Sequence, residues 1–83
     1  MNVSAHPLQK TGVLRITGGL HSETEALALK AALEDLPGVY AVELNRHAAR
    51  LRFDPDLVSE QQFYEAVKIG GLHASDFTVL PQR

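Results

Sequence analysis

The chain has 83 residues, enough for one small domain that buries about 60–65% of the surface exposed by its unfolded chain. Its composition, 45% hydrophobic and 22% charged, is that of a folded protein, and we expect no deep catalytic cavity at this size. The formal net charge of -2 provides no concentrated basic surface, so we expect no nucleic-acid partner. The cysteine count is zero, which excludes disulfides, thiolate metal sites and thiol catalysis.

The ends of the chain differ from its middle. No apolar stretch approaches the ~20 residues of a membrane-spanning helix, and Met1–Pro7 has no basic segment followed by an apolar core. We therefore expect a cytoplasmic protein that does not insert into a membrane. We interpret residues 1–10 as a flexible N-terminal tail, residues 11–80 as a single domain and residues 81–83 as a C-terminal tail.

A pair of glycines separates the first strand from the first helix. The alternation in Val13–Ile16 predicts a strand, which Gly18-Gly19 ends. Ser22 followed three residues later by Glu25 is a capping box, which predicts that a helix begins there. Apolar residues then recur at helical spacing until Pro37-Gly38, namely Ala26, Leu29, Leu33 and Leu36.

Two strands follow, joined by a short connection. Val39–Leu44 predicts the second strand and Asn45–Ala48 a hairpin. In the third strand, Leu51 and Phe53 alternate with arginines at positions 50 and 52, which indicates one apolar and one basic face. The sequence Asp54-Pro55-Asp56 ends this strand.

A second helix and a last strand complete the pattern. Ser59 and Gln62 form another capping box before an apolar stripe that Gly70-Gly71 closes, and Phe77–Leu80 predicts the final strand. The order strand, helix, strand, strand, helix, strand predicts an α+β ferredoxin-like sandwich, a four-stranded antiparallel sheet with both helices on one face. In this fold three loops lie at one end of the sheet, and they contain His21, His47 and His73.

Several of these residues carry a resemblance to a known family. The elements Leu36-Pro37-Gly38-Val39 and Leu51-Arg52-Phe53-Asp54-Pro55 resemble the heavy-metal-associated domain of copper chaperones and P-type ATPases. The resemblance extends over roughly Val13 to Val79 and includes Leu29, Leu33, Val42, Leu44, Val58, Phe63, Ala66, Val67 and Gly71. It implies a metal-binding or metal-transport role, because family members hold a soft metal in a Met-x-Cys-x-x-Cys loop between the first strand and the first helix.

This chain departs from the family at that loop. Counted forward from the first strand, the two cysteine positions fall on His21 and Thr24; counted backward from the helix, they fall on Ser22 and Glu25. The two registers differ by one residue, which suggests an extra residue in the turn, absorbed by the second glycine. Since both thiolates are absent, a Cu(I) thiolate site is excluded.

Nitrogen and oxygen ligands define an alternative metal site at the same end of the sheet. His21, Glu25 and His73 would suit a divalent ion such as Zn(II), Ni(II), Co(II) or Cu(II). Glu23 and His47 are weaker candidates, the latter because its hairpin is expected at the far edge of the sheet. The opposing interpretation is that the two glutamates serve the helix start and the three histidines are ordinary polar loop residues.

Two functions therefore remain open, and neither is enzymatic. The domain is either a cysteine-less relative that binds a divalent metal, as a carrier or as the sensor of a transporter, or a docking module that binds a partner protein domain and holds no metal. Docking would use the loop end or the open sheet face, and a homodimer through that face is a variant of it. Arg15, Arg50 and Arg52 form a basic strip there, for which we expect solvation or cross-strand pairing with Glu43 rather than RNA binding, because stacking aromatics are lacking.

Overall fold

The computed structural model of this protein describes residues 9–81. They form β1 (Lys10–Thr17), α1 (Glu23–Glu34), β2 (Val39–Leu44), β3 (Ala48–Phe53), α2 (Glu60–Ile69) and β4 (His73–Val79). The strands make one antiparallel sheet in the order β2-β3-β1-β4, with α1 packed against β2, α2 against β4, and the two helices against each other. The predicted α+β ferredoxin-like fold is confirmed. Within residues 9–81, no helix is long and apolar enough to cross a membrane.

The alternation of β1 and β3 decides which face of the sheet the helices cover. Leu14 and Ile16 of β1, together with Leu51 of β3, are buried, whereas Arg15 and Arg50 between them are exposed. Because successive side chains of a strand point to opposite faces, one face of the sheet is apolar and packs against the helices. The other, here called the open face, carries Thr11, Val13, Arg15 and Thr17 from β1 and Ala48, Arg50 and Arg52 from β3.

Three phenylalanine rings pack together, two of them buried in the core and the third, Phe77, half-buried against it. Phe53 of β3, Phe63 of α2 and Phe77 of β4 have ring centroids 5.1 to 5.6 Å apart in edge-to-face or tilted arrangements. The Phe77 ring covers Gly12 of β1 so closely that a Cβ atom there would lie 2.6 Å from its Cε1. The glycine therefore leaves the space that the aromatic cluster needs.

The first and the last strand along the chain begin earlier than predicted. β1 begins at Lys10 rather than Val13, and β4 begins at His73 rather than Phe77. Both extensions are set by pairing, since Lys10 lies opposite Phe53 and His73 lies opposite Thr17. β4 is an edge strand whose residues are mostly exposed or half-buried, so apolar alternation does not mark where it begins. Residues 1–8 of the predicted N-terminal tail and residues 82–83 of the C-terminal tail lie outside the described residues.

Replacing Gly12 by alanine should destabilise the domain. We expect Gly12→Ala to lower the free energy of unfolding by about 1–3 kcal/mol, because the added methyl group must displace the Phe77 ring from a packed cluster. Urea denaturation followed by circular dichroism measures this. The matched control is Gly70→Ala, whose Cβ atom would meet nothing closer than 3.5 Å and should change stability by no more than about 1 kcal/mol. Equal losses in both variants would contradict the proposed clash.

Candidate functional site

The connection between β1 and α1, here called the β1–α1 junction (residues 18–22), is built on two glycines in the left-handed region. Gly18 has a φ of 79° and Gly19 a φ of 77°. Side chains with a Cβ atom rarely adopt such angles, which explains why glycine occupies both positions. The Gly19 N–H donates to the carbonyl oxygen of Ile16 at 3.1 Å, so the chain turns immediately after the strand. The predicted end of the strand at this glycine pair is confirmed.

The β2–β3 hairpin (residues 45–47) holds the junction in place through the backbone. The N–H of Ile16 donates to the carbonyl oxygen of His47 at 2.8 Å, and the N–H of Leu20 donates to that of Arg46 at 2.7 Å. The hairpin is itself ordered by Asn45, whose Oδ1 accepts from the N–H of His47 at 2.8 Å and from that of Ala48 at 2.9 Å. The junction is thus fixed at both ends of its turn by a neighbouring loop.

The His47 hairpin, expected at the far edge of the sheet, lies against the junction. A Cβ atom on Gly19 would lie 3.1 Å from Nδ1 of His47 and 3.1 Å from the carbonyl oxygen of Arg46, so the imidazole ring lies directly against the turn. The reason is the strand order. β2 is at the edge of the sheet, but β3 is the direct neighbour of β1, and the residues just before β3 therefore run beside the end of β1.

Ser22 caps α1, and Glu25 orders the residue before the cap. The N–H of Glu25 donates to Oγ of Ser22 at 3.1 Å, which confirms the predicted helix start. The Glu25 carboxylate reaches back one residue further than a capping box requires, because its Oε1 accepts from the N–H of His21 at 2.8 Å. Glu25 therefore helps to fix the backbone of His21.

The exposed side chain of His21 borders an open pocket between the start of α1 and the hairpin. The pocket has a volume of about 410 Å³ and is lined by Leu20, His21, Ser22, Glu23, Ala26, Leu44, Asn45 and Arg46. His73 is the first residue of β4, opposite Thr17, and does not line this pocket. Since α1 packs against β2, the junction directs the chain after Leu20 towards the β2 side of the domain and not towards β4.

The predicted ligands are not gathered into one site in this structure. Within residues 9–81, no group of three or more histidine, aspartate or glutamate side chains is close enough to hold a metal ion. The predicted ligands His21, Glu25 and His73 therefore form no such group, and neither do the lower-ranked candidates Glu23 and His47. Sequence reasoning also missed Arg46, whose carbonyl oxygen holds the junction, because a backbone contact between two loops leaves no pattern in the sequence.

The arrangement of the strands and helices is the fold of heavy-metal-associated domains. The oxidized MerP from Ralstonia metallidurans CH34 matches with a TM-score of 0.72 and 24% identity, over 82% of this chain and 96% of that one. A copper binding domain from HMA7, a P-type ATPase, matches with a TM-score of 0.74 and 24% identity, over 87% and 95%. The CopZ metallochaperone matches with a TM-score of 0.73 and 19% identity, over 78% and 98%.

Comparisons with protein-family models and with curated proteins find no match. The relationship is therefore one of fold, with 24% identity or less to these three structures.

The contact between hairpin and junction can be tested by comparing the two glycines. We expect both Gly18→Ala and Gly19→Ala to lose about 1–2 kcal/mol of unfolding free energy, because alanine is strained at positive φ. Gly19→Ala should lose about 1 kcal/mol more, since its methyl group meets Arg46 and His47, whereas the position of Gly18 opens into free space. Urea denaturation of both variants measures the difference, and equal losses would show that the hairpin does not restrain Gly19.

Proposed function

We propose that this domain takes part in heavy-metal transport as a non-enzymatic, cytoplasmic docking module that binds a partner protein domain without holding a thiolate-bound ion. One observation carries the proposal: the chain has the fold of MerP, of CopZ and of a copper binding domain of a P-type ATPase, yet contains no cysteine. The fold supports a role among metal-handling proteins. The missing thiolates remove the usual means of carrying a soft ion.

The hydrogen bonds of the β1–α1 junction support docking. Two backbone hydrogen bonds to the hairpin and one from the His21 N–H to the Glu25 carboxylate restrain the backbone on both sides of the turn. A surface that is already ordered loses little conformational entropy when a partner binds, so more of the contact energy remains as affinity. Around the pocket, this end of the domain presents the exposed residues His21, Glu23 and Arg46 to a partner.

A second candidate is binding of a divalent metal by histidine. It is favoured by the position of His47, whose ring lies against Gly19, two residues before the exposed His21. Zn(II), Ni(II), Co(II) or Cu(II) suit such nitrogen ligands, with Glu25 and His73 as further members of the predicted set. A rearrangement of side chains would be needed, because residues 9–81 contain no assembled group of three ligands.

Metal titration separates the two candidates. For a docking module we expect isothermal titration of untagged protein with each of the four divalent ions to show no dissociation constant below about 1 mM, as exposed single histidines hold ions weakly. His21→Ala should then behave like the wild type. Stoichiometric binding tighter than this, lost in His21→Ala and retained in the control His6→Ala, would favour the metal site.

Docking is tested by titrating isotope-labelled protein with the soluble N-terminal domain of a metal-transporting P-type ATPase from the same organism. We expect shifts of amide resonances in residues 18–23 and 45–47, which form the rigid end of the domain. Arg46→Glu should weaken binding about tenfold, because it reverses a charge at this end. The control Lys68→Glu reverses a charge on α2 and should have little effect. Absence of binding, or equal loss in both variants, would contradict docking through this end.

A further inference from the structure

Two arginines on the open face form no ion pair with any residue of the part of the chain that the structure describes. Arg50 and Arg52 alternate with the buried residues Ala49 and Leu51, so both guanidinium groups project away from the helices. The ion pairs among residues 9–81 are Arg15 with Asp76 at 3.9 Å and Lys30 with Glu34 at 3.9 Å, and neither includes these arginines. Of the two expected alternatives, cross-strand pairing with Glu43 does not form, and both arginines are exposed, as expected for solvation.

The register of the sheet explains why Arg52 is unpaired. It lies between Ala41 of β2 and Thr11 of β1, neither of which carries a charge. Arg50 lies opposite Glu43 of β2, but the two side chains form no ion pair. The Arg52 guanidinium, which has no charged neighbour in either register, is available to an external anion.

A shallow depression accompanies these side chains. It has a volume of about 280 Å³ and is lined by Thr11, Ala41, Glu43, Arg50, Leu51 and Arg52. The small residues Ala41 and Thr11 leave space on both sides of Arg52. The planar guanidinium group can present two parallel N–H donors to a carboxylate in such a space.

The distribution of charge across the domain makes this surface distinct. The chain has a formal net charge of -2, and the helices with their flanking residues carry much of its negative charge, at Glu23, Glu25, Glu34, Asp35, Glu60 and Glu65. The open face of β1 and β3 carries Arg15, Arg50 and Arg52; Asp76 of β4 pairs with Arg15, and Glu43 of β2 lies opposite Arg50. Positive charge therefore exceeds negative charge on this face, and an acidic partner meets less repulsion there than on the helical side.

We propose that the open face, through Arg50 and Arg52, docks a carboxylate-rich segment of a partner protein. This inference rests on the proposed docking function and adds to it a second surface and the chemistry of what that surface binds. Nucleic acid is disfavoured as the occupant, because β1 and β3 place no aromatic side chain on this face for bases to stack on. A second copy packed through the same face is disfavoured as well, because it would bring the arginines of the two molecules together.

Binding of a fluorescein-labelled poly-(Glu-Ala) peptide, followed by fluorescence anisotropy at low salt, tests the proposal. The wild type should bind the peptide, and added salt should weaken binding because the contacts are between charges. Arg50→Glu combined with Arg52→Glu should weaken it about tenfold or more. In a nuclear magnetic resonance titration, the shifted amides should lie in Thr11, Val13, Ala41, Arg50 and Arg52.

The matched control carries the same change of net charge on the opposite side of the domain. Lys30→Glu combined with Lys68→Glu alters two helical residues and should weaken peptide binding less than about twofold. If the lysine variant loses as much affinity as the arginine variant, the peptide is attracted by the net charge of the whole protein and is not bound at a defined surface. The proposal then fails. Should the double glutamate variant not fold by circular dichroism, Arg50→Gln with Arg52→Gln provides the same test with neutral side chains of similar length.

Other occupants give different results. Tighter binding of an oligo-uridine RNA than of the peptide, lost in the arginine variant, would overturn the proposal in favour of nucleic acid. A dimer seen by sedimentation velocity that the arginine variant dissociates would overturn it in favour of a second copy. If the wild type does not bind the peptide but binds the ATPase domain through Arg46, the assignment of the open face is wrong while the docking function stands. If the wild type binds neither the peptide nor the ATPase domain, both the open-face proposal and the docking function fail.

Discussion

The domain depends on the direct pairing of β1 with β3 in the middle of the sheet. This pairing places Leu14, Leu51 and Phe53 on the buried face, and it carries the hairpin before β3 to the end of β1. There, backbone hydrogen bonds of 2.7 and 2.8 Å join the hairpin to Leu20 and Ile16. One strand pair thus builds the core and also fixes the β1–α1 junction, so the stability of the fold and the geometry of the candidate site have a common origin.

A metal site and a docking site place different demands on that junction. A metal site needs several ligand side chains converging on one point, which residues 9–81 do not provide for any three histidine, aspartate or glutamate groups. A docking site needs an ordered, accessible surface, and the junction with its exposed His21 provides one. The open face adds a second accessible surface that is more basic than the helical side, since Arg50 and Arg52 form no ion pair among residues 9–81.

Much of the fold could be predicted from local patterns, and the site could be predicted less well. Alternation in β3 indicated a strand, and the caps at Ser22 and Ser59 indicated helix starts; the structure contains all three. At the second cap, the Gln62 Oε1 accepts from the Ser59 N–H at 2.9 Å. The same reasoning ranked His47 as a weaker candidate because its hairpin was expected at the far edge of the sheet, whereas the His47 ring lies against Gly19 of the junction. It began β4 too late, since an exposed edge strand needs no apolar alternation.

The sequence by itself determined the chemistry that is available and the local structure. Without cysteine there can be no thiolate site, and glycine at 18 and 19 permits the turn that the backbone adopts. Only the tertiary structure decided which residues meet: that the ring of His47 lies against Gly19, that His73 does not share the pocket of His21, and that Arg52 faces Ala41 and Thr11. These contacts join residues far apart in the chain, so they follow from strand order and register, which short-range patterns of residues do not encode.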